Sequence, residues 1–130
     1  MALVPTLTLT DSTTFSDVIN FTVTDSLTVT APARSLSLEI ATQTGGSHII
    51  VPAGTAVTYV YIRHTGTTDG TTGSTVPVDV EDTADVAFMR LGAGEWAFFP
   101  ANKAGGSTGV QLQVTTASNV QLEYAYWTKG

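Results

Sequence analysis

The chain has 130 residues, no cysteine and a formal net charge of −6, and only 12% of its residues are charged, against about a quarter in an average globular protein. That length implies one domain able to bury a core without staples, and the missing thiols exclude disulfides and thiolate metal sites. The basic residues Arg34, Arg63, Arg90, Lys103 and Lys129 are scattered singly, which argues against direct binding of nucleic acid, because neutralising phosphates takes clustered cations.

The start, Met1-Ala2-Leu3-Val4-Pro5, lacks the basic flank and long apolar stretch of a secretory signal, and no apolar run approaches a membrane span. The expectation is a protein made in a cytoplasm and not inserted in a membrane. Apolar residues then alternate with threonine, first Leu7 and Leu9, then Phe21, Val23, Leu27 and Val29. Alternation is the period of a half-buried strand. Pro5 suits an edge, since it cannot donate to a ladder. Thr10-Asp11-Ser12 recurs as Thr24-Asp25-Ser26, too short an echo to indicate a solenoid, and Asp25-Ser26 reads as the turn of a hairpin over residues 21–30. Ala31-Pro32-Ala33-Arg34 reads as a joint, which divides the chain into a Thr-rich arm or hairpin (1–33) and a body (34–130).

The body keeps the same period. Leu36, Leu38 and Ile40 alternate, as do Val57, Tyr59 and Tyr61, then Val76, Val78 and Val80. Val110, Leu112 and Val114 follow, and Val120, Leu122, Tyr124 and Tyr126 close the chain. Val51-Pro52-Ala53-Gly54 predicts a type I turn, and Gly45-Gly46, Gly92-Ala93-Gly94 and Gly105-Gly106-Ser107 mark further breaks. His64 to Thr75 is a Gly/Thr/Asp/Ser segment too polar to pack, of a length usually functional or floppy. No window carries a helical stripe. The pattern predicts an all-β fold, an antiparallel β-sandwich or jelly roll with an extended Thr-rich N-terminal segment. Its expected core is Leu38, Ile40, Val60, Ile62, Phe98, Leu112 and Leu122.

Signs of chemistry are sparse. Gly105-Gly106-Ser107-Thr108-Gly109 matches the letters of a nucleophile elbow, but a helix must follow that motif and a strand-like run follows here, so it reads as a turn. His48 and His64 lack a carboxylate at a ligand spacing, and the acidic run from Asp79 to Asp85 lacks the spacing of a calcium loop and reads as a solvated turn. Asn20-Phe21-Thr22 is a glycosylation sequon only if the chain is secreted. The expectation is no enzyme, no catalytic residues, no metal and no cofactor.

Binding is the remaining role. A Thr-rich surface with so little charge suits a protein whose surface is taken up by contacts, because charge is what keeps monomers apart. Candidate interface residues in the arm are Leu7, Leu9, Phe21 and Val23. In the body they are the aromatics Tyr59, Tyr61, Trp96, Tyr124, Tyr126 and Trp127, residues that serve as core or as interface anchors. The tyrosine pairs could alternatively form a stacking platform for sugars.

The run Leu91-Gly92-Ala93-Gly94-Glu95-Trp96-Ala97-Phe98-Phe99-Pro100, followed by Val110-Gln111-Leu112-Gln113-Val114 and Val120-Gln121-Leu122-Glu123-Tyr124-Ala125-Tyr126, resembles the C-terminal part of small β-sandwich structural proteins of tailed bacteriophages. The resemblance covers about the last 40 residues. It implies a capsid decoration, or cement, protein of the virion that clamps major capsid subunits, a homo-oligomer made in the host cytoplasm. A tail, connector or fibre-base protein is the alternative within the virion, and a carbohydrate-binding module the alternative outside it.

Overall fold

The computed structural model describes residues 1–11, 20–41, 47–53, 57–101, 109–114, 116 and 118–130, with the side chains of Pro32, Ser35, Glu39 and Ile40 left outside that description. The described residues form strands and no helix. The strands are β1 (Ala2–Leu3), β2 (Thr6–Thr10), β3 (Asn20–Thr24), β4 (Leu27–Ala41), β5 (His48–Val51) and β6 (Thr58–His64). They continue with β7 (Val78–Asp82), β8 (Ala87–Leu91), β9 (Trp96–Ala101), β10 (Val110–Val114) and β11 (Val120–Lys129). Every pairing between them is antiparallel. A five-stranded sheet of order β1-β4-β11-β6-β9 and a four-stranded sheet of order β5-β10-β7-β8 make the expected all-β sandwich, while β2 and β3 pair only with each other.

The core lies between the two larger sheets. Val60 and Ile62 of β6 and Leu122, Tyr124 and Tyr126 of β11 come from one sheet; Val78 and Val80 of β7 and Val110, Leu112 and Val114 of β10 come from the other. All are buried, and each such side chain contributes about 2 kcal/mol by leaving water. Most are β-branched or aromatic, the shapes that fit a pleated surface.

Two expected core residues lie elsewhere. Leu38 is 61% exposed, because the ladder sets it opposite Glu123, and on β11 it is the even-numbered residues that point inward. Phe98 is half-buried and stacks on Tyr59, while its neighbour Phe99 packs against the core. Val60, Ile62, Leu112 and Leu122 are core as expected, and the side chain of Ile40 is outside the described residues. The alternation shows that residues share a face. Only the pairing decides which face is inside.

The N-terminal segment also departs from expectation. Asp25-Ser26 is not a hairpin turn: β3 pairs back onto β2, and β4 pairs with β1. Ala2 pairs with Thr28, Leu3 with Leu27, Thr6 with Thr24 and Thr10 with Asn20, and the position numbers of every pair sum to 30. The Asp25 N–H donates to the Pro5 carbonyl at 3.3 Å and the Val29 N–H to the Met1 carbonyl at 3.0 Å, in the same register. The segment is therefore one long β-ribbon, its base in the five-stranded sheet and its tip beyond it. The boundary expected at 33/34 falls inside β4, which pairs with β11 on both sides of it.

Gly109, the last letter of the supposed elbow, has a structural reason to be glycine. A Cβ there would run into the Val51 carbonyl oxygen and the Pro52–Ala53 backbone, where β10 passes the end of β5. Gly105 to Thr108 lie outside the described residues. A Gly109→Ala variant should lose about 3 kcal/mol, since backbone cannot yield as a side-chain end can. Gly73→Ala, with open space at the Cβ position, should stay within about 0.5 kcal/mol of the parent. Urea titration of the two variants checks both.

Candidate functional site

The outer side of the five-stranded sheet is built by register. Trp96 of β9, Arg63 of β6, Glu123 of β11 and Leu38 of β4 form one row across it. Phe98, Tyr61 and Ala125 form the next, and Pro100, Tyr59, Trp127 and Ala33 a third. Trp96 is 55% exposed and Leu36, two residues before Leu38, is 63% exposed. The face is thus apolar and aromatic with a few charges set into it. The Tyr61 hydroxyl donates to Glu123 Oε1 at 2.8 Å. Burial first, then that hydrogen bond and the carboxylate's charge, raise the Tyr61 phenol above its usual value, against a smaller opposing pull from Arg63. Lys129 Nζ lies 5.9 Å from the centre of the Tyr59 ring, and the Arg34 guanidinium, at the β4 edge, 5.9 Å from that of Tyr124. Trp96 stands between two shallow depressions, one of about 460 Å³ lined by Tyr61, Arg63 and Gly94, the other of about 610 Å³ lined by Met89, Leu91 and Ala97.

The candidate interface residues separate into three groups. Leu7, Leu9, Phe21 and Val23 are brought together: Leu7 opposes Val23 and Leu9 opposes Phe21 on one face of the β2–β3 ribbon. Every residue of both strands is exposed. The other face is a hydroxyl ladder, with Thr6 and Thr24 oxygens 3.0 Å apart and those of Thr8 and Thr22 3.1 Å apart. Tyr61, Trp96 and the half-buried Trp127 lie on the outer sheet face. Tyr124 and Tyr126 are corrected to core, and Tyr59, though on the outer side, is buried under its neighbours, so none of these three presents a ring to a partner. Of the tyrosine pairs drawn as a sugar platform, that burial leaves Tyr61 as the one ring on the outer face, beside Trp96. Sequence reasoning missed Leu36, Leu38 and Arg63 as parts of this face. The available signal was that β6 is apolar on both sides, with Tyr59 and Tyr61 on one and Val60 and Ile62 on the other, more than a one-sided sheet needs.

The opposite sheet carries polar chemistry on its outer side. Arg90 grips Asp79 through Nε at 2.6 Å and Nη2 at 3.0 Å. The Gln111 amide nitrogen lies within 3.0 Å of Ser47, Glu81 and Asp85 oxygens. The acidic run forms the β7–β8 hairpin turn: the Asp82 carboxylate accepts the Ala84 and Val86 N–H groups, and Asp85 takes φ 62°. That run is only partly solvated, since Asp79 and Glu81 are buried. Among the described residues no group of three or more His, Asp or Glu side chains could hold a metal ion.

His64 is fully buried, and its partners explain why. Its Nε2 donates to the Val76 carbonyl at 2.8 Å, and its Nδ1 accepts the Gly66 N–H at 2.9 Å, which fixes the neutral Nε2–H tautomer. The ring pins both ends of the His64–Thr75 segment, expected to be either functional or floppy. That segment is ordered throughout by its own hydrogen bonds. Asp69 Oδ1 accepts the Thr71 N–H at 2.9 Å and the Thr72 N–H at 2.8 Å, and the Gln121 N–H reaches the Thr67 carbonyl at 2.8 Å. The backbone bonds from Thr72 and Thr71 hold the Asp69 carboxyl down at about 2.

Comparison with protein-family models, with curated proteins and with solved structures gives no match to this chain.

Replacing His64 by alanine should strand the Val76 carbonyl and the Gly66 N–H in the interior. A loss of about 3 kcal/mol or more, with new protease cleavage between residues 65 and 77, is the expected result. Because the folded Asp69 value lies below the ordinary 3.8, the turn it caps is fully supported above about pH 4 and loses support as pH falls towards about 2. The Thr71 and Thr72 amide resonances should shift over that window, and the shift should vanish in Asp69→Ala.

Proposed function

We propose that this protein is an assembly subunit of a tailed-phage virion, a decoration or cement protein that binds junctions between major capsid subunits and holds them together. The observation that carries the reading is the β2–β3 ribbon, a protruding pair of strands with Leu7, Leu9, Phe21 and Val23 uncovered on one face. A two-stranded ribbon is marginal alone in water and needs a surface to complete it. The outer sheet face, with Leu36, Leu38 and Trp96 exposed, offers a second apolar contact on the same chain. Low charge supports the reading, as does the phage-like run from Leu91 to Tyr126.

Physically, a cement subunit adds contact area across junctions that internal pressure tends to open. Each contact can be weak, because several engaged at once multiply into high avidity. The role asks for no reaction and no cofactor, and the partners are shell subunits together with further copies of this chain.

Particles carrying the protein should survive heating and chelation that open particles lacking it, and added recombinant protein should restore the difference. Unchanged particle stability, with the protein imaged on the tail, would reject cementing in favour of a tail, connector or fibre-base role.

A further inference from the structure

The ribbon and the outer sheet face are each incomplete, and we infer that they complete one another between copies: the apolar face of the β2–β3 ribbon of one subunit docks across the outer face of the five-stranded sheet of a second copy. The inference rests on the reading of the ribbon as a binding element and names its first partner.

Geometry sends the ribbon outward. Only Val4-Pro5 on one strand and Asp25-Ser26 on the other separate the tip from the sheet, and the Asp25 N–H to Pro5 carbonyl bond at 3.3 Å ties these straps together. The register is the same on both sides of them. A ribbon so continued leaves the β1–β4 edge as an extension of it, joined to the sheet only through these two short straps.

Charge selects the receiving face. Residues 1–33 contain Asp11, Asp17 and Asp25 and no basic residue. In a chain of net charge −6, the outer face of the five-stranded sheet presents Arg63 and Lys129 against Glu123. Arg90 is held by Asp79 on the opposite sheet. The outer face of the five-stranded sheet is therefore where an acidic arm is drawn, and where Leu36, Leu38 and Trp96 can cover its apolar side chains. One arm and one receiving face per chain give matched numbers without a second protein.

The absence of cysteine makes the contact directly testable. Two single-cysteine chains, Leu9→Cys and Leu38→Cys, are mixed and treated with a short bis-maleimide. A product of two chain masses that needs both variants is expected, and Arg63→Glu in the Leu38→Cys chain should lower its yield several-fold at low salt. Products formed by Leu9→Cys alone would show arms pairing with arms and overturn the inference. So would a crosslink confined within single chains of the double variant at high dilution. Failure to crosslink together with retained binding to particles also overturns it, while leaving the cement role standing with the arm assigned to a shell subunit.

Discussion

One buried imidazole holds the two sheets in their relation at one end of the sandwich. His64 ends β6 in the five-stranded sheet, and the chain crosses to the four-stranded sheet through residues 65–77. It crosses back at Gly92–Glu95, between β8 and β9. Both crossings are fastened to this residue. Its ring binds Gly66 and Val76, its backbone N–H donates to the Glu95 carbonyl at 2.9 Å, and its carbonyl accepts the Gly94 N–H at 3.1 Å. A buried polar side chain is costly unless every group finds a partner, and here both ring nitrogens do. The turn at Gly92–Glu95 is itself tied, with Gly94 at φ 81° and the Glu95 carboxylate accepting the Gly92 N–H at 2.6 Å. With that corner fixed, Trp96 begins β9 beside Arg63, and the outer face acquires its most exposed aromatic.

The two outer faces differ in kind. On the four-stranded sheet, Arg90 neutralises Asp79 and the Gln111 amide donates hydrogen bonds among the Ser47, Glu81 and Asp85 oxygens, with Ile49 exposed opposite it. On the five-stranded sheet, rings and leucines dominate and the charges are sparse. Contiguous exposed apolar surface is a common feature of contact sites. The long strand β4 adds to it: β1 covers only Leu27 and Thr28, and Leu36 and Leu38 project from the remainder.

Fold class was legible from the alternation of apolar and polar residues, which has one meaning in a chain with no helical stripe. Which side of each strand faces inward was legible only in part. In β6 the sequence Thr-Tyr-Val-Tyr-Ile-Arg-His is apolar on both sides, and Val60 and Ile62 face inward because they lie opposite Tyr126 and Tyr124. The N-terminal register was illegible for a related reason: runs of alternating Thr and Leu pair equally well after a slip of two, so local sequence cannot choose between a turn at Asp25-Ser26 and the pairing of β3 with β2. His64 was invisible as a structural centre because its partners are backbone groups, which no side-chain pattern records. Gly109 was legible only as part of a turn, because its constraint, the backbone of Val51 to Ala53, is again one that no side-chain pattern records.

The unbroken ladder of the arm has an entropic consequence. Fixing a backbone residue costs about 1–2 kcal/mol, so ordering a free tail of ten residues on a partner would consume on the order of 10 kcal/mol of contact energy. In β2 and β3 the cross-strand bonds and the threonine ladder have already restricted those residues before any partner arrives. The arm is preorganised, so in the proposed docking what remains to be lost is mainly its freedom about Val4-Pro5 and Asp25-Ser26. Four modest apolar side chains can then hold a contact that a flexible tail of the same composition could not.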